Sequence, residues 1–300
     1  MRMLLGLGAF ALSLGAAGAL HASAADKDPI LLAEKDRGVP AGRAVRLTLA
    51  QSEIATTIDL GRIAGNANGG GLLGALIITA MDDRAKTMRR TAIDKAEGTA
   101  APIRQALNGF DVEGLAVAAT RSGLGKHAWF QGQPLATAHD STPTQRTAYA
   151  VASSASQAAF VDYWYGLSPD FSQIRVLADI RIERAGKRKS GIEPVLFHQR
   201  VWSVVQLRAR SYDPRANAAQ WSEADGKRAR AGLTAAFARF EDLIPRALIL
   251  GQQDVAAYTA KGREKAFGAD FYGPLIARDP ANRESLLLWS NGLVQVQPAD

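Results

Sequence analysis

Ile174-Arg175-Val176-Leu177-Ala178-Asp179-Ile180-Arg181-Ile182-Glu183 is the stretch that decides the fold. Apolar and polar residues alternate, with only Leu177 out of place. A period of two puts Ile174, Val176, Ala178, Ile180 and Ile182 on one face of a strand and Arg175, Asp179, Arg181 and Glu183 on the other. Such a strand packs on one side and meets water on the other, as in antiparallel and mixed sheets. Downstream, 195–207 reads as a second strand, and the basic stretch 185–191 between them as a turn. The pair predicts a long antiparallel hairpin. Upstream, 158–165 is a third strand, leading into the turn Gly166-Leu167-Ser168-Pro169-Asp170.

Working outward, 44–60 has strand character, with Val45, Leu47 and Leu49 alternating with Arg46 and Thr48. The glycine-rich loop 65–71 opens onto a helix that begins apolar at 72–81 and turns amphipathic after Asp82-Asp83. Gly98 and Pro102 are expected to kink or break it. Asp111 is a helix N-cap for a second helix through Leu124. The region 125–158 is ambiguous, with a strand within 129–138 and a loop at 141–145 around Pro143. Helix is expected over most of 217–250, ending or kinking at Pro245. Short strands at 271–277, 285–289 and 293–297 close the chain, the last two joined by Asn291-Gly292, a hairpin turn signal. No repeat of 20–50 residues is visible. The fold class expected is α+β: a mixed, largely antiparallel sheet with helices packed on it and a terminal β-hairpin. Residues 25–300 read as one domain, with a subdivision allowed near 125–158.

The first 24 residues read as a secretory signal peptide. Arg2 gives a positive start, 3–20 is an uncharged apolar run, and Ala22-Ser23-Ala24 is a small-x-small cleavage site. The mature protein is then expected in the periplasm. No cysteine follows the run, so a lipoprotein is not expected, and no later stretch is apolar enough to span a bilayer. The chain has no cysteine at all, which removes disulfides, thiolate metal sites and cysteine nucleophiles. The net charge of +7 suits acidic envelope surfaces, and nucleic acid is not an expected partner.

Motifs for chemistry are few. Gly69-x-Gly71-x-x-Gly74 matches a dinucleotide fingerprint in form only, because no strand runs directly into it. Glycines four apart instead allow close approach of another surface. No histidine pair has the spacing of a zinc helix, so no metal site or cofactor is expected. His139-Asp140 has the residue types of a catalytic dyad, but no G-x-S-x-G elbow supplies a serine. Asp82-Asp83 and Glu241-Asp242 are paired carboxylates on helices and read as solvated. Tyr163-Trp164-Tyr165 sends Trp164 to one face of a strand and both tyrosines to the other, either as sheet core or as an aromatic platform.

The run Gly69-Gly70-Gly71-Leu72-Leu73-Gly74-Ala75-Leu76-Ile77, its basic alanine-rich continuation to Pro102-Ile103-Arg104, and Tyr165-Gly166-Leu167-Ser168-Pro169-Asp170-Phe171 resemble a group of uncharacterised exported proteins and lipoproteins of proteobacteria. That resemblance implies residence in the envelope and carries no catalytic residues. The order of elements is also similar to the nucleotide-binding-like α+β domains of envelope secretion and Tol-system proteins, a likeness of fold alone. The function expected is non-enzymatic binding of a partner protein, membrane surface or cell-wall component, with homo-oligomers allowed. Its expected site is Gly70, Gly71, Leu72, Leu73, Gly74, Leu76 and Ile77 with the basic turn Lys187, Arg188 and Lys189. The alternative is a periplasmic hydrolase using dispersed acid and base residues, His139 and Asp140 first among them.

Overall fold

The computed structural model describes residues 29–38, 42–58, 82–140, 142–185 and 195–299. Ten strands form one mixed sheet: β1 (Arg43–Leu49), β2 (Ala55–Thr56), β3 (Leu135–Ala138), β4 (Gln157–Leu167), β5 (Gln173–Arg184), β6 (Val195–Gln206), β7 (Lys265–Gly268), β8 (Phe271–Arg278), β9 (Leu286–Trp289) and β10 (Leu293–Pro298). Their spatial order is β3-β1-β4-β5-β6-β10-β9-β8-β7, with β2 pairing parallel beside the end of β4, beyond β1. Among the described residues six α-helices accompany them: α1 (Asp82–Ala106), α2 (Val112–Gly125), α3 (Pro143–Ala152), α4 (Pro214–Ala238, kinked at Glu223–Gly226), α5 (Phe240–Ile249) and α6 (Gln252–Thr259).

The deciding stretch is β5, the middle of the expected meander. It runs antiparallel to β4 on one side, with Tyr163 opposite Ala178, and to β6 on the other, with Ala178 opposite Val201. Its apolar face, Ile174 to Ile182, is buried beneath α1, α2, α4 and α5 together with Tyr163, Tyr165, Trp221, Phe237 and Phe240. The opposite face carries two smaller apolar clusters. One lies under α3 around Ala150 and Phe160, the other around Val204, Leu288, Val294 and Val296. Between them Asp179 accepts a hydrogen bond from His198 Nε2 at 3.0 Å and pairs with Arg181 at 3.2 Å and Arg200 at 3.5 Å. The terminal hairpin is present, β10 pairing antiparallel with β9 and, on its other edge, parallel with β6.

The turn between β4 and β5 is bolted to α4. Asp170 Oδ1 accepts from the Ser168 hydroxyl at 2.6 Å and from the Ser172 backbone at 3.1 Å. Asn217 Nδ2 donates to the Asp170 carbonyl at 2.8 Å, and Trp221 Nε1 donates to the Phe171 carbonyl at 2.8 Å. Phe171 is held at φ 60°, a region bulky side chains rarely occupy.

Three local expectations need correction. α1 runs unbroken through Gly98 and Pro102. Gly98 is four residues before Pro102, at the carbonyl that the proline ring crowds and leaves without its hydrogen bond. The expected loop around Pro143 is the first turn of α3, with Thr142 as N-cap and proline at the helix start, where its missing N–H costs nothing. Pro245 lies inside α5, and the chain leaves helical geometry earlier, at Glu223–Gly226 within α4, with a short interruption at Arg239 before α5. The polar residues of β1 are buried as well as the apolar ones. Arg43 donates to the Asp36 and Arg37 carbonyls and stacks on Trp129 and Phe130, while Arg46 reaches the Asp140 and Gln145 carbonyls. Burial lowers the Arg43 guanidinium to about 10, against the opposing pull of Asp36.

Candidate functional site

β1 is the one strand flanked on both sides by parallel neighbours that follow it in the chain, β3 and β4. The chain leaves β1 through α1 and α2 on the main core face and reaches β3. It then crosses by α3, on the opposite face, to β4. Loops therefore part company at the carboxyl end of β1, and such a switch point in an open sheet leaves a crevice where ligands bind.

A cleft of about 830 Å³ lies there. It is lined by the end of β1, by Gln51, Ser52, Glu53 and Ile54, by the turn between α1 and α2 with Asn108, Asp111 and Glu113, and by Arg104, His139 and Tyr165. Each group is placed by its element. Gln51 continues the β1–β4 ladder with its side chain, donating from Nε2 to the Tyr165 carbonyl and accepting from the Tyr165 N–H, both at 2.9 Å. The carbonyl role of a missing rung is thus taken by an amide, and the next residues are free to bulge into the cleft. Asp111 caps α2 by accepting from the Gly114 N–H at 2.7 Å. Arg104, near the end of α1, donates to Glu97 and, from Nε at 3.1 Å, to the Ile54 carbonyl, and lies 3.4 Å from Glu53. The Arg104 hydrogen bond holds the Glu97 carboxyl below its usual range, and Glu97 in turn raises Arg104.

His139, just past β3, donates from Nδ1 to the Leu49 carbonyl at 3.1 Å. That bond fixes the neutral tautomer and leaves Nε2 toward Glu113, 3.9 Å away. Tyr165 is only 3% exposed, yet it lines the cleft, and its hydroxyl forms no hydrogen bond with any described residue. Burial, reinforced by the nearby Glu53 charge, raises that phenol to about 12, so it remains a donor across the physiological range.

Of the residues singled out in the sequence, Gly70, Gly71, Leu72, Leu73, Gly74, Leu76, Ile77, Lys187, Arg188 and Lys189 lie outside the described residues. His139 is in the cleft, but Asp140 is turned away from it. The Asp140 carboxylate accepts from the Thr142 N–H at 2.9 Å and from Gln145 Nε2 at 2.7 Å. Ser52 shares the cleft with His139 and Glu113, yet no hydrogen bond joins it to His139 among the described residues, and the two ring nitrogens face Leu49 and Glu113. His198 sits far along the sheet in the Asp179 cluster. Tyr163 is core, its hydroxyl 3.0 Å from the Thr120 hydroxyl, while Trp164 lies on the other face against Trp202. No three His, Asp or Glu side chains among the described residues converge as metal ligands. Sequence reasoning missed Glu53, Arg104, Glu113 and the hydroxyl of Tyr165. No spacing links them; they meet only because the end of α1, the start of α2 and the segment after β1 converge beside β4.

No protein-family model, curated protein or solved structure matches this chain.

Proposed function

We propose that this is an exported protein of the cell envelope that binds a polar ligand, free or as part of a cell-wall component, in the cleft at the carboxyl ends of β1, β3 and β4. Export is supported by the charge, apolar run and small-residue site of residues 1–24. No helix among the described residues is long and apolar enough to cross a membrane. The observation that carries the binding reading is the Tyr165 hydroxyl. A phenol held in a nearly buried ring, in a concave site, without a protein partner is a group set out for a ligand. Aliphatic walls from Leu49, Ile54 and Val112 with a few convergent polar groups are the usual make-up of such sites.

Hydrolysis draws less support from the same cleft. His139 has the types of neighbour a general base needs, but its Nδ1 is spent on a carbonyl and its Nε2 faces a carboxylate, so neither nitrogen is set to take a proton from Ser52.

The test is a thermal-shift screen of residues 25–300 against envelope solutes, with Tyr165→Phe as the matched control. A solute that raises the wild-type midpoint is expected to raise that of Tyr165→Phe less. Equal shifts for every solute found would remove the cleft from the account.

A further inference from the structure

We propose that the ligand of this cleft presents an aliphatic amine; the inference rests on the cleft being a ligand site. Three carboxylates line the cleft, Glu53, Asp111 and Glu113. Arg104 is the one lining guanidinium among the described residues, and it is already held by Glu97, the Ile54 carbonyl and Glu53. Asp111 spends one oxygen on the Gly114 N–H, whereas Glu113 is bound to nothing closer than His139 at 3.9 Å. In a chain of net charge +7 this is a local excess of negative charge. The C-terminal end of α1 also abuts the cleft at Gln105, and helix carboxyl ends favour cations. The N-terminal end of α2, which would favour anions, is answered by its own Asp111 and Glu113.

Acidic side chains at a rim do not by themselves make a site. The second, independent feature is Tyr165, 3% exposed, whose unpartnered hydroxyl offers lone pairs to an N–H donor in the cleft. An ammonium can donate to the phenol oxygen and to the Glu53 or Glu113 carboxylate together. Its aliphatic stem then lies against Leu49, Ile54 and Val112. An anion meets repulsion at the same place, and a neutral hydroxyl gains no charge pairing.

Spermidine and 1,8-octanediol are matched in length and differ in charge. Binding of each to residues 25–300 is measured by calorimetry, for wild type, Tyr165→Phe and the double variant Glu53→Gln/Glu113→Gln, with folding checked by circular dichroism. Spermidine is expected to bind at one site, weakened about tenfold by each variant, with little binding of the diol. If spermidine binds all three proteins alike, or weakens only in the double variant, it meets the acidic surface rather than the cleft, and the amine assignment is overturned. If the diol binds in a Tyr165-dependent way and spermidine does not, the cleft reading stands and the amine fails. If neither binds, the amine fails as well, and the solute screen with Tyr165→Phe then decides the cleft reading separately.

Discussion

Asn217 shows how much one amide can hold. It lies fully buried at the start of α4, accepts from the Ser211 N–H at 2.8 Å and donates to the carbonyls of Asp170 and Ser211. Asn217→Ala leaves those buried groups unpaired and is expected to cost about 2–3 kcal/mol in urea unfolding. A loss under 0.5 kcal/mol would mean that the turn at Phe171 is held by Trp221 alone. Gly292 makes a different point. The Asn291-Gly292 pair reads correctly as a turn, but its glycine is required by another strand: a Cβ there would sit 2.1 Å from the Arg200 carbonyl. At φ 153° the backbone also disfavours a side chain. Gly292→Ala is expected to destabilise by about 2 kcal/mol or more, seen as a lowered thermal midpoint. Nothing near residue 292 in the chain reports that contact. The same holds for Tyr165. Alternation in the sequence places it correctly on the core face, but the cleft at its hydroxyl comes from residues 51–54 and 104–113.

Among the elements, the alternating strands and the Asp111 cap were readable because their signals are local. β5, β6 and α2 fall where periodicity and capping put them. Prolines misled, because their meaning depends on position: Pro143 begins a helix, and Pro102 and Pro245 sit within helices. Pro102 removes one hydrogen bond from α1, so Pro102→Ala is expected to stabilise by about 1–2 kcal/mol, the restored ladder outweighing the freer unfolded chain. An unchanged urea midpoint would show that the helix already accommodates the proline without loss. The polar row of β5 has its own acid response. Burial raises Asp179, but the His198 hydrogen bond and the Arg181 charge outweigh it and lower the carboxyl from 3.8 to about 2. A lowered carboxyl adds stability that is complete above its unfolded value and lost as pH falls through the folded one. Between about pH 5 and 2 this protein is expected to lose on the order of 2 kcal/mol through Asp179, and Asp179→Asn is expected to flatten that part of the urea stability profile. An identical acid slope in both proteins would assign the loss to other carboxylates.

For the molecule as a whole, the α+β class and the mixed sheet were legible, because the meander β4-β5-β6 and the β9-β10 hairpin are contiguous in sequence. The parallel pairings were not. β1 meets β4 and β10 meets β6 across long stretches of chain, and no short-range pattern announces them. Export is argued at this scale too. Expressed with its own N-terminus, the protein is expected to be recovered from the periplasm beginning at Ala25, as read by intact mass. Recovery in the membrane fraction with residues 1–24 attached would replace a cleaved signal with an anchor.

The place of β10 has a kinetic consequence. It lies between β6 and β9, so the backbone pairing of β7-β8-β9 with the meander runs through a strand that follows all of them in the chain, while side chains such as Arg175 with Asp270 and Trp202 with Phe271 join the two directly. Pairings of long separation form late, because loop closure must be met before contacts reward it. The pairing of β10 with β6 is therefore expected to form late and to be the step that closes the sheet. Under the export proposed above, late closure of the sheet is expected to keep the chain in a form a translocation channel accepts.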